Sequence, residues 1–325
     1  MSNRLLAGKT IVITGASSGA GRAAALEFAR HNVALVLAAR NETALEELAA
    51  ECGIIGSDVL VVAADVTDAK AMINLANAAN DWRGQIDVWI NNAGVLAAGD
   101  FDKTPIEVHT QVIETNLLGY INGAHAVMPI FKKQRKGILI NNISIGGYLP
   151  VPYGTGYTAS KFGLRGFSEA LKAELTGWPD IYICDLFPAF LDTPGILHAA
   201  NYTEKELKPA PPVYDPRRLA LAMVQVALNP KSNTYVGSTS ILLKLAHAVF
   251  PEITTKLTGS VIRYYLKTAN PIASTNGNLF NTVPYGMSTN GGFGLPGKPK
   301  AHRKYIAAGL LLSFAAGLYL TSFKK

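Results

Sequence analysis

The stretch that decides the fold is KTIVITGASSGAG, residues 9–21. A short run of β-branched residues leads into a glycine turn, and an alanine-rich helical run follows. The segment therefore predicts a strand, a tight turn and a helix N-terminus in succession. Gly15, Gly19 and Gly21 permit a tight turn, close approach of backbone to a ligand and close packing of helix on strand. A helix N-terminus also favours negative charge, so Gly15, Ser17, Ser18, Gly19 and Gly21 are candidates for holding a pyrophosphate.

The same alternation continues down the chain. VALVLAA (33–39) precedes the helical pattern NETALEELAAEC (41–52), DVLVVAAD (58–65) precedes a helix from about Asp68, and IDVWINNAG (86–94) precedes a long helix through Asn116. GILINNIS (137–144), a helix around Tyr157 and IYICDLFP (181–188) complete the series. Near-continuous apolar strands separated by helices belong to a parallel sheet buried on both faces, which predicts a single-domain, doubly wound α/β fold. The second strand ends in Arg40, with no acid there to meet a ribose 2′-hydroxyl. A guanidinium at that place suits the 2′-phosphate of NADP(H) through paired hydrogen bonds. Asp65, after the third strand, is a candidate acceptor for an adenine amino group.

TGASSGAG (14–21), Asn91-Asn92-Ala93-Gly94, Asn116, Ser144 and Tyr157-Thr-Ala-Ser-Lys161 stand in the order and spacing of one signature set. Over roughly residues 7–240 the chain resembles the short-chain dehydrogenase/reductase family. The resemblance implies a Rossmann fold and an NADP(H)-dependent oxidoreductase. It adds Val66, Asn92, Ala93, Gly94, Pro188 and Thr193 to the cofactor-binding candidates, Thr193 at the nicotinamide carboxamide. It further implies that Asn116 supports a water linking Lys161 to solvent, and that Lys161 holds the nicotinamide ribose. The family's usual Pro-Gly after the sixth strand is here Pro188-Ala189, followed by Phe190.

The chemistry also follows from the residues. Tyr157 and Lys161 are four apart, on one helical face. A phenol titrates near pH 10, and a nearby ammonium favours its phenolate, so Tyr157 is expected to be the acid that protonates a carbonyl oxygen, or the base in reverse. Ser144, at the carboxyl edge of the sheet, is expected to donate to the same oxygen. The catalytic candidates are therefore Asn116, Ser144, Tyr157 and Lys161, and none of this calls for a metal.

No Arg/Lys cluster between Ser144 and Pro216 offers a clamp for phosphate or carboxylate. Ile145, Tyr148, Leu149, Val151, Tyr153, Phe190, Leu191, Ile196 and Leu197 point instead to a lipophilic ketone, aldehyde or secondary alcohol. The net charge of +7 is not a nucleic-acid signal: residues 298–325 hold six Lys/Arg and no acid, leaving 24 basic against 23 acidic residues before them. Cys52 and Cys184 lie far apart in a helix end and a strand, so they are expected buried and reduced.

Beyond about residue 240 the pattern changes. Residues 241–269 place Leu242, Leu245, Val249 and Ile253 at helical spacing, broken by Pro251, an apolar helical extension. Residues 270–304 hold six Gly and four Pro without an acid, which predicts a flexible linker of roughly 30 Å root-mean-square span. Residues 305–323 then read as a transmembrane helix, YIAAGLLLSFAAGLYLTSF, about 27 Å long over its uncharged residues. Lys298, Lys300, Arg303 and Lys304 upstream, and the absence of an apolar signal at MSNRLLAGKT, put the catalytic domain (1–240) on the cytoplasmic side of a single-pass C-terminal anchor. Gly309, Ser313 and Gly317 repeat small residues every four positions, a spacing on which two spans of a homodimer would pack. The competing reading is a membrane scaffold or sensor that binds NADP without chemistry.

Overall fold

The computed structural model describes residues 6–294. The opening stretch forms strand β1 (Thr10–Thr14) and helix α1 (Gly19–Ala29), as its pattern predicts. β2 (Ala34–Ala39), α2 (Glu42–Ile55), β3 (Asp58–Ala63), α3 (Ala69–Arg83) and β4 (Val88–Asn91) follow. Local chemistry sets the helix ends. Asn41 caps α2 by accepting from the Ala44 N–H at 3.1 Å, Asp68 caps α3 through Lys70 and Ala71, and Gly84 closes α3 in a left-handed conformation.

After a two-residue strand β5 (Ala97–Ala98), α4 (Ile106–Ile113) runs through a π-helical turn at Glu114–Leu118 into α5 (Gly119–Gln134). Then come β6 (Gly137–Asn142), α6 (Thr155–Glu174), β7 (Ile181–Pro188), β8 (Ala200–Asn201), α7 (Arg217–Leu228) and β9 (Asn233–Val236). The parallel sheet has the order β3-β2-β1-β4-β6-β7-β9, and β5 pairs with β8 in a separate ribbon. The direction of winding reverses between β1 and β4, which opens a crevice at the carboxyl ends of those strands.

Strand alternation distributes the core. Ile11, Ile13, Leu35 and Leu37 face α1, α2 and α7, while Val12, Val36 and Trp89 face α3 and α5. Between β6, β7 and α6 lies one buried polar knot: Asp185, 1% exposed, accepts from Ser168 Oγ at 2.5 Å, Lys172 Nζ at 2.6 Å and Asn141 Nδ2 at 3.3 Å. Every partner is satisfied there, as a buried charge requires. Cys52 and Cys184 are buried and free.

The helical extension is α8 (Ser238–Val249) and α9 (Pro251–Thr268), with Pro251 starting the second helix at the position where its missing N–H costs nothing. Their outer face leaves Leu245, Val249, Phe250, Leu257, Val261 and Tyr264 more than half exposed. Among the described residues no helix is long and apolar enough to cross a membrane. The expected span at 305–323 lies outside the described residues.

The linker expectation is corrected for residues 270–294, which lie along the body as a strap. Leu279 is fully buried, Asn201 and Thr275 exchange backbone hydrogen bonds at 2.7 and 3.0 Å, and Asp192 accepts from the Gly291 and Phe293 N–H groups. Long-range backbone pairing of this kind overrides the local preference of Gly, Asn and Pro for solvent.

Candidate active site

The glycine turn is built for close approach. A Cβ on Gly15 would stand 2.5 Å from Ala93 Cα, and one on Gly21 would stand 2.1 Å from the Gly15 carbonyl oxygen. Neither position tolerates a side chain. Ser18 sits extended at the start of α1 without using its hydroxyl as a cap, beside Ser17 and Gly19, so the turn presents an α-helix N-terminus to the crevice. Asn92 braces this turn rather than reaching outward. Its Nδ2 donates to the Thr14 and Gly15 carbonyls, both at 3.1 Å, and its Oδ1 accepts from Asn142 Nδ2 at 3.0 Å. Ala93 and the exposed Gly94 continue along the crevice floor.

The remaining cofactor candidates lie around the same edge. Asp65 closes its own turn through the Thr67 N–H and hydroxyl at 2.9 and 2.8 Å, and the buried Val66 meets α5 at Gly119. Pro188 ends β7, and Thr193 follows with its Cβ 3.2 Å from where a Gly19 side chain would begin. Arg40 stands at the end of β2, but its guanidinium donates to the carbonyls of Asn278, Leu279 and Phe280 at 2.5, 3.2 and 3.4 Å. The strap thus holds the cation assigned to a 2′-phosphate. It also takes the Gly19 N–H, which donates to the Ser288 carbonyl at 2.9 Å.

The four catalytic candidates converge. Ser144 adopts φ 110°, a strained conformation for a residue with a Cβ, just past β6. Its Oγ accepts from the Gly146 N–H at 3.1 Å, and the ring of Tyr157, near the start of α6, lies against the same Gly146. One turn on, Lys161 is 4% exposed, with Nζ 3.3 Å from the Asn142 carbonyl, 4.9 Å from the Tyr120 ring centre and 5.8 Å from that of Tyr157. Burial pushes the Lys161 ammonium down to about 7. Burial also raises the Tyr157 phenol, with the Ser144 hydroxyl pulling it back. The expected lowering of Tyr157 is therefore reversed here: both groups leave water together, and desolvation outweighs the ammonium across that distance. Asn116, in the π-helical turn, pairs its side chain with the Val95 N–H and carbonyl, both at 2.8 Å, and so fixes the loop between β4 and β5.

The apolar positions divide. Ile145 and Leu149 are core, at 4% and 6% exposure, and Tyr148 packs at a tilt against Phe187 and Tyr235, with the Arg165 and Lys244 cations over its ring. Leu279, from the strap, joins an apolar cluster of Val95, Ala97, Val108, Val112 and Ala200 against which Tyr157 packs. Sequence reasoning missed Leu279, Asp192 and His198, whose Nε2 pairs with the Tyr285 carbonyl at 3.0 Å. The available signal was an isolated Leu-Phe pair and two aromatic residues in a stretch too apolar for a free tether.

A family model described as short chain dehydrogenase matches residues 9–203. The chain is similar to the Bacillus subtilis (strain 168) protein named Uncharacterized oxidoreductase YxnA, 33% identical over 254 residues, which cover 77% of this chain and 71% of that protein. It is similar to 17-beta-hydroxysteroid dehydrogenase 13 of Rattus norvegicus, 30% identical over 249 residues, 76% of this chain and 81% of the relative. Among solved structures it is similar to the alcohol dehydrogenase of the archaeon Thermococcus sibiricus complexed with 5-hydroxy-NADP, with a TM-score of 0.63, 28% identity, and coverage of 71% of this chain and 97% of that one. With its glycine turn at the winding reversal and its Ser-Tyr-Lys group at the end of β6, the chain belongs to the short-chain dehydrogenase/reductase family of oxidoreductases.

Proposed function

We propose that the protein is an NADP(H)-dependent oxidoreductase that transfers hydride between nicotinamide and a lipophilic ketone, aldehyde or secondary alcohol. The observation that carries this reading is the meeting of Ser144 Oγ and the Tyr157 ring at Gly146, with Lys161 buried one helical turn behind. The nicotinamide cofactor supplies the hydride when bound. The turn at Gly15–Gly21 fits its pyrophosphate, because added Cβ atoms would fill that cradle, and Arg40 offers a fork suited to a 2′-phosphate.

In this reading the protein's own groups do the rest. Tyr157, kept protonated by burial, gives its proton to the carbonyl oxygen during reduction, and Ser144 donates to the same oxygen as negative charge develops. Lys161 stabilises Tyr157 once it has lost the proton. Asn116 holds the Val95 backbone beside them. A lipophilic substrate is supported by the apolar cluster beside Tyr157 and by the hydroxysteroid named for one relative. The exposed apolar face of α8 and α9 and the apolar run at 305–323 support attachment to a membrane, with the catalytic body on the cytoplasmic side.

The experiment is a cofactor-coupled screen of apolar ketones, 17-ketosteroids included, with full-length protein in detergent. The proposal expects NADPH to be consumed with at least one of them, and NADH more slowly. Tight NADPH binding without turnover on any substrate would put the non-catalytic scaffold in its place.

A further inference from the structure

We propose that Tyr120 is a positioning residue for the catalytic lysine, its ring face seating the Lys161 ammonium. This rests on the function proposed above. Lys161 has no carboxylate partner among the described residues; what faces Nζ is the Asn142 carbonyl at 3.3 Å, the Tyr120 ring at 4.9 Å from α5 and the Tyr157 ring at 5.8 Å from its own helix. Tyr120 is 1% exposed, and its hydroxyl donates to the same Asn142 carbonyl at 2.9 Å. A desolvated ammonium over an aromatic face is attracted by the ring quadrupole. Tyr120 therefore favours the charged form of Lys161 and sets where that charge stands relative to Tyr157. Tyr120 and Tyr157 are the titratable side chains that face it.

The test is the pH profile of kcat/KM for ketone reduction in wild type, Tyr120→Leu and Tyr120→Phe. The high-pH limb belongs to the Tyr157–Lys161 pair. Without the ring, Tyr120→Leu should move that limb down by roughly half a pH unit or more. Tyr120→Phe keeps the ring and frees the Asn142 carbonyl, so its limb should stay or move up. A limb unmoved in Tyr120→Leu, or moved down in Tyr120→Phe, overturns the inference. Wild type without turnover would instead overturn the proposed function.

The strap carries a second, independent inference. We infer that residues 277–294 compete with the dinucleotide for its own groove, so that binding displaces them. They take the Arg40 guanidinium and the Gly19 N–H, and Asp192 ties their far end beside Thr193. A dinucleotide binding only the open form has its apparent Kd multiplied by the inverse of the open fraction, whichever dinucleotide it is. Leu279→Ser, which loosens the closed form, should therefore tighten NADPH and NADH by the same factor, about threefold or more. Weaker or unchanged binding overturns the inference, since a strap that clamped the cofactor would give that sign.

A reversible lock gives a second readout. Asn41 Nδ2 and Met287 Sδ lie 3.9 Å apart, so a thiol-reactive crosslinker with a cleavable disulfide spacer, bridging Asn41→Cys and Met287→Cys, would tie the strap to the body, while the native thiols Cys52 and Cys184 are buried. Crosslinking, verified by mass, should abolish dinucleotide binding and reductive cleavage of the spacer restore it. Equal binding in both states overturns the inference; no binding in either state, or in wild type, speaks against the cofactor assignment itself.

Discussion

Replacing Lys161 by methionine should make the protein more stable at pH 6 and leave it nearly unchanged near pH 10. Lys161 is 4% exposed, and burial alone drives its ammonium from 10.5 down to about 7. That fall, at 1.36 kcal/mol per pH unit, corresponds to about 5 kcal/mol. The sign follows from proton binding. Between pH 7 and 10.5 the unfolded chain holds a proton that the folded chain has released, so stability rises with pH; below pH 7 both states hold it and the cost is constant. Methionine fills the same volume without a charge, and its stability carries no such slope. Urea denaturation of both proteins without cofactor at pH 6, 8 and 9.5 reads the difference. The variant should lead by several kcal/mol at pH 6, the gap closing by about 1.4 kcal/mol per pH unit above pH 7. A gap that does not change with pH, or a variant less stable at pH 6, would refute the reasoning by showing that burial does not disfavour the ammonium.

Two more outcomes follow from the same geometry. Arg40→Asp removes both the 2′-phosphate fork and three strap hydrogen bonds, so NADPH should lose tenfold or more relative to NADH, which itself tightens, measured by fluorescence titration; equal changes for both would remove Arg40 from the 2′-phosphate site. Asp185→Ala strips Lys172, Ser168 and Asn141 of their shared acceptor, so a destabilisation of about 3–5 kcal/mol should appear in thermal unfolding at neutral pH, and a loss under 1 kcal/mol would contradict the buried pair.

The doubly wound sheet was legible because six of its seven strands are short apolar runs and helices between them carry their own caps, as at Asn41 and Asp68, whereas the edge strand β9, NTYV, has no apolar run to mark it. The reacting group was legible for a similar reason: Tyr157 and Lys161 are related by helical spacing, and Ser144 by the end of a strand. What local pattern does not contain is desolvation. Nothing in the spacing of Tyr157 and Lys161 says that burial will raise one and lower the other. The positive φ of Ser144 is likewise imposed by its surroundings rather than by its residue type. The strap was misread because Gly, Asn and Pro favour a solvated chain locally, whereas its partners Arg40, Gly19 and Asp192 stand far away in sequence. Arg40 shows both sides of this. Its place after β2 marks it as a phosphate ligand, and only the fold reveals three carbonyls already on it.

The most direct test of the account is the rate of hydride transfer in Tyr157→Phe, followed by rapid mixing of the NADPH complex with the best ketone from the screen. Loss of the proton donor should slow that step by about 10²-fold or more while NADPH affinity stays within a few-fold of wild type. A wild-type rate in Tyr157→Phe would contradict the account.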